Sequence, residues 1–151
     1  MKKIFTVILA AFFLTACSKV TETNKEENFI IVGESEHWEA EFVYNVSETW
    51  GEKNGKKNHL NKDQYTLTFS YKGEESELAT IKHISYSFDT VSGSGSNTEQ
   101  FTEPNTKSVF KLSGASQNSA RIFSDHVFTA KVQWDDFEET IELNIHNKII
   151  L

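Results

Sequence analysis

Trp38-Glu39-Ala40-Glu41-Phe42-Val43-Tyr44-Asn45-Val46 and Tyr65-Thr66-Leu67-Thr68-Phe69-Ser70-Tyr71 decide the fold. In the second stretch, large apolar residues alternate strictly with hydroxyl residues. In the first, Trp38, Ala40, Phe42, Tyr44 and Val46 alternate with Glu39, Glu41 and Asn45. A period of two places the apolar set on one face of an extended strand, so each stretch predicts a strand half buried and half wet. Working outward, Ile84, Tyr86 and Phe88 repeat the pattern, Phe110 and Leu112 flank Lys111, and Phe128, Ala130, Val132 and Trp134 oppose Thr129, Lys131 and Gln133. Ile141, Leu143 and Ile145 oppose Glu142 and Asn144, and the turn Asp135-Asp136-Phe137 joins this run to the one before it as a hairpin. With Phe29 to Val32 as a short first strand, about seven strands are expected, and no helical stripe competes. One-sided strands in this number predict an all-β fold, a single antiparallel β-sandwich that is Ig-like in architecture only. All seven glycines are expected in the punctuation between strands, with Asn54-Gly55 supplying positive φ in a loop after Trp50.

The chain has 151 residues, a single cysteine and a formal charge of −7. That length and an apolar fraction of 38% suit one domain with a real core, and the acidic balance argues against nucleic acid as a partner. Met1-Lys2-Lys3, the apolar run Ile4 to Leu14, and Leu14-Thr15-Ala16-Cys17 read as a secretion signal over 1–16 ending in a lipobox. Eleven apolar residues are too few for a helical span of the bilayer, which takes about 20. Cys17 is then the lipidated residue, which also consumes the one thiol of an exported chain. Removing Lys2 and Lys3 with the signal takes the formal charge from −7 to −9. Residues 17–28, polar and without period, read as the lipidated cysteine and a flexible tether, and residues 29–151 as the domain.

The lipobox around Cys17, Gly33-Glu34-Ser35 followed by Trp38, Tyr71-Lys72-Gly73, Ser92-Gly93-Ser94-Gly95, Ser113-Gly114-Ala115-Ser116, and the last hairpin with Val132, Trp134, Ile141 and Leu143 together resemble the small lipoproteins of uncharacterised function found in Gram-positive bacilli and their relatives. The resemblance implies a lipid anchor followed by one β-rich domain on the extracytoplasmic side of the cell membrane. It supplies no catalytic residue. The chain departs from it in the last hairpin, where Asp136 and Phe137 stand where a glycine commonly completes the turn.

Tests for chemistry return little. Ser124-Asp125-His126 holds the residue types of a hydrolase triad, but in extended chain Ser124 and His126 share a face about 6.6 Å apart while Asp125 points away. His37 and Glu39 on one strand face give two metal ligands, too few for a site, so no metal is implied. Glu74-Glu75, Asp135-Asp136 and Glu138-Glu139 fall at turns, where solvated charge is the ordinary role. The run from Ser92 to Asn97 lacks the helix a phosphate-cradling loop needs and reads as a flexible connection, so no cofactor is implied. What remains is a long loop from Trp50 to Lys62 that carries Lys53, Lys56, Lys57 and an aromatic ring in an acidic domain. The reading is a membrane-anchored, non-catalytic binding module, with Trp50, Lys53, Lys56 and Lys57 as the candidate contact for an envelope polymer or protein. The alternative is a cell-envelope hydrolase or an inhibitor of one.

Overall fold

The computed structural model describes residues 22–53, 55–122, 126–144 and 149–150. It is a sandwich of two antiparallel sheets. In chain order the strands are β1 (Thr23–Glu34), β2 (Trp38–Lys53), β3 (Lys56–Tyr71), β4 (His83–Thr90), β5 (Gly93–Gln100), β6 (Val109–Gln117), β7 (Phe128–Trp134), β8 (Phe137–Leu143) and β9 (Ile149–Ile150). One short helix, α1 (Glu75–Leu78), lies in the crossing from β3 to β4. The first sheet has the order β6-β3-β2-β1-β9 and the second β5-β4-β7-β8.

The alternating runs do what their period demands. Trp38, Ala40, Phe42, Tyr44 and Val46 of β2 are buried against Ile84, Tyr86 and Phe88 of β4, Phe128 to Trp134 of β7, and Ile141 and Leu143 of β8. Strand β7 alternates buried and exposed over its whole length. Ile145 lies outside the described residues. The hairpin between β7 and β8 turns on two residues, since Trp134 pairs with Phe137. Asp135, one residue before the Asp136 and Phe137 positions where a glycine is expected, takes the left-handed conformation at φ 44°. Aspartate tolerates that region better than most residues. Here its carboxylate also accepts hydrogen bonds from the Lys82 and His83 backbone N–H groups, at 3.1 and 3.0 Å, tying the hairpin to the start of β4.

Four expectations need correction. The tether does not reach residue 28: β1 begins at Thr23 and pairs with β2 as far as Trp50, so Thr23 to Asn28 are strand. The flexible connection after Ser92 is strand β5, paired along β4 from Gly93 to Gln100. As an edge strand with small and polar side chains, it carries no apolar alternation to read. The loop from Trp50 to Lys62 is a β-ribbon, paired from Trp50↔His59 out to Lys53↔Lys56, with Gly55 at φ 72° in the turn.

Lastly, glycines do stand inside strands, because backbone or rings lie where a side chain would go. Gly33 in β1 faces the Glu142 carbonyl of β8, and a Cβ there would collide with it. Gly95 in β5 lies under the Phe88 ring and Gly114 in β6 under the Tyr65 ring, where a Cβ would come within 2.7 and 2.6 Å of ring carbons. Bare backbone under an aromatic ring lets the ring lie flat on the sheet.

Candidate functional site

Strands β2 and β3 are 16 residues each, longer than the second sheet they cover. Past that sheet's end, the inward-facing positions stop being apolar while the period of two continues. Along β2 the series Tyr44, Val46 is followed by Glu48 and Trp50. Along β3, running back from Tyr65, it is followed by Asp63, Asn61 and His59. Along β1, running back from Phe29, it is followed by Glu27. Arg121, in the segment after β6, lies over this polar extension: one guanidinium nitrogen donates to Glu48 at 2.8 Å and another donates to Glu27. Glu48 also meets the His59 ring at 3.2 Å, and that ring stacks on Trp50 with centroids 3.8 Å apart. Trp50 is nonetheless 50% exposed.

Among the described residues, the β1 pairing with β2 ends at Thr23 opposite Trp50, with Glu22 beside Gly51, and β6 already stops opposite Lys62. Among the described residues, three pairs extend past the paired length of both flanking strands: Gly51 with Asn58, Glu52 with Lys57 and Lys53 with Lys56. Lys56 and Lys57 are exposed, while the Lys53 side chain lies outside the described residues. The four residues singled out in the sequence thus belong to one ribbon end, with Trp50 at its base.

A second locus was not legible as a site. Between the sheets, on the side where β5 and β6 are the edges, a cleft of about 180 Å³ is lined by Phe42, Tyr44, Asp63, Tyr65, Phe88 and the small residues of β5 and β6. Asp63 is 3% exposed. Its carboxylate accepts hydrogen bonds from the hydroxyls of Ser116, Ser119 at 3.1 Å and Ser92 at 3.2 Å. The Tyr44 hydroxyl is buried beside it, next to the Ile122 backbone. Burial, and then the charge of Asp63, push the Tyr44 pKa up to about 12. The sequence signal was the inward parity of Asp63 with Tyr65 and Leu67, a charged residue where the pattern calls for an apolar one.

At the opposite end of the sandwich, His37 pairs with Glu139 of β8, 102 positions away, and not with Glu39. The ring Nδ1 lies 2.5 Å from one carboxylate oxygen, and the His37 backbone N–H donates to the other at 3.0 Å. Glu36 completes a group of three donors whose ligand atoms lie within 4.8 Å. The hydrogen bond with Glu139 raises the His37 pKa above its ordinary 6.5. Burial alone would raise the Glu139 carboxyl, but the Ser35 hydroxyl and the His37 backbone and ring hold it below its ordinary 4.5.

A raised histidine stabilises the fold below its unfolded pKa and loses that contribution as pH rises through its folded value. A lowered carboxylate stabilises above its unfolded pKa and loses its contribution as pH falls. The pair therefore contributes most between the two ordinary values, 4.5 and 6.5. Glu139→Gln should lower the thermal unfolding midpoint more at about pH 5.5 than at about pH 8. An equal drop at both would rule out the ion pair.

Of the remaining candidates, Ser124 and Asp125 lie outside the described residues. Asp135 serves the hairpin as described above. Glu77 accepts from the Tyr71 hydroxyl at 3.1 Å and from the Glu74 N–H at 3.2 Å, which caps α1.

Residues 1–18 match the family model of the prokaryotic membrane lipoprotein lipid attachment site. No curated protein and no solved structure matches the chain. The match places a lipid anchor on the cysteine of that segment, and Cys17 is the only cysteine the chain has.

Proposed function

We propose that this chain is a non-catalytic binding module held by lipid on Cys17 at the outer face of the cytoplasmic membrane, akin to small lipoproteins of Gram-positive bacilli, and that its ribbon end meets an anionic partner of the envelope such as a phosphate polymer. The observation that carries this reading is the extension, among the described residues, of the last three β2–β3 pairs past the paired length of both flanking strands, with Lys56 and Lys57 exposed on them. Lysines grouped on a protruding tip of an otherwise acidic protein concentrate positive potential where a polyanion can approach without meeting the rest of the surface. Trp50 at the base offers a ring face and an N–H, a combination suited to a partner that is apolar on one side and wet on the other.

Replacing Lys53, Lys56 and Lys57 together by Glu tests it. Because the tip contributes nothing to the core, the unfolding midpoint should stay near that of the parent. Association of the lipoprotein with isolated cell envelopes should weaken by about tenfold or more at low ionic strength, and the parent's association should itself fall as salt is added. Equal association after charge reversal, or none by the parent at low salt, would remove the ribbon from the account.

A further inference from the structure

We propose that the cleft around Asp63 is a binding site for the cationic head of a small organic amine, a primary alkylammonium group. The site stands apart from the ribbon end and does not depend on it. Its floor is a carboxylate withdrawn from water, a state that normally requires a cationic partner or a full set of hydrogen bonds. Among the described residues no lysine, arginine or histidine forms an ion pair with Asp63. Three serine hydroxyls occupy part of its acceptor capacity, and a carboxylate offers about four lone-pair sites. One is left for a donor entering from the cleft. The Tyr44 hydroxyl, buried beside the Asp63 carboxylate and the Ile122 backbone, supplies a second oxygen at the same place. An ammonium could donate one N–H to the Asp63 carboxylate and another to the Tyr44 oxygen, with the Tyr44 hydroxyl hydrogen still directed at Asp63.

The walls suit the same ligand. Phe42 and Tyr65 stack at 5.7 Å between centroids, and Tyr65 meets Phe88 edge-on at 5.0 Å. Aromatic rings attract weakly hydrated cations. The arrangement depends on the two strand glycines, since the rings that form the walls lie over Gly95 and Gly114. A divalent metal would want six or more oxygens and usually several carboxylates, whereas Asp63 is the one carboxylate lining the cleft. An anion would be repelled by it. At about 180 Å³ the space is below the range that takes whole drug-sized molecules, so the ligand enters by its head with the remainder in solvent.

The test uses the full lipidated protein in detergent micelles, titrated with ethylammonium chloride at constant ionic strength and followed calorimetrically. Ethanol serves as the uncharged comparison and calcium chloride as the metal. Saturable single-site binding of ethylammonium and none of ethanol is expected. Asp63→Asn, of the same shape, should lower that affinity by about tenfold or more. Tyr44→Phe should lower it severalfold, because one of the two oxygens that receive the ammonium is removed while the ring and the cleft walls stay in place. The Tyr44→Phe result decides alone if Asp63→Asn does not fold. No saturable ethylammonium binding, equal binding of ethanol, calcium binding abolished by Asp63→Asn, or full affinity in Tyr44→Phe would each overturn the proposal.

Discussion

Trp38→Ala is expected to destabilise the protein by about 3 to 5 kcal/mol, the range for removing a fully enclosed large aromatic side chain. Trp38 has no exposed surface. Its ring lies 5.1 Å from Tyr71 of β3, 5.8 Å from Phe110 of β6 and 5.7 Å from Trp134 of β7, measured between centroids. The first two belong to its own sheet and the third to the opposite one, so the cavity left by alanine opens between the layers and has walls on both. Small domains are stable by about 5 to 15 kcal/mol in total, which makes this loss a large share. Trp38→Phe should cost clearly less. It keeps a ring in the space and also removes the indole N–H, which is buried without a hydrogen-bond partner. Urea unfolding followed by far-UV circular dichroism measures both. A Trp38→Ala midpoint equal to the parent's would mean that the ring does not hold the two sheets together.

Cys17→Ala should abolish metabolic labelling by fatty acid and leave the protein as an uncleaved or mislocalised precursor. Anchoring gains about 0.8 kcal/mol for each buried methylene, and stable residence takes two chains. Both are lost with the one thiol that can carry them. Labelling that persists in the variant would show that the lipid is attached elsewhere. With a single cysteine the chain can hold no intramolecular disulfide, so the sandwich should fold in the variant as in the parent.

The strands with one apolar face were legible because burial on one side and water on the other imprint the period of two. The second half of β3, from Tyr65 to Tyr71, and strand β7 could be read residue by residue. Where a strand lacks an apolar partner layer the imprint vanishes, and three segments were misread for that reason. The first half of β1 lies under the polar end cap with Glu27. The ribbon end has no opposite sheet. Strand β5 is a hydrogen-bonded edge whose glycine and serine residues look like a turn. Strand order was not legible, since it is set by contacts between distant segments such as β4 with β7.

Of the site residues, the lysines and Trp50 were visible from charge and position, although the form of the segment was not. Asp63 was not singled out because a single aspartate among strand residues resembles any solvated one until the inward parity is followed past Tyr65. Glu139 as the partner of His37 is a 102-residue separation that no local pattern encodes.

Strand β1 runs antiparallel to β2, with Thr23 opposite Trp50. Cys17 stands six residues before Thr23, and a fully extended chain of that length covers about 20 to 22 Å at most. The covalent leash thus enters at the ribbon end, and the His37 and β7–β8 end is the far pole. In a molecule so moored the lysine tip is the membrane-proximal end and the opposite pole the membrane-distal one. Any anion that the proposed tip contact engages would thus be membrane-proximal, while a partner approaching from away from the bilayer would encounter the far pole first.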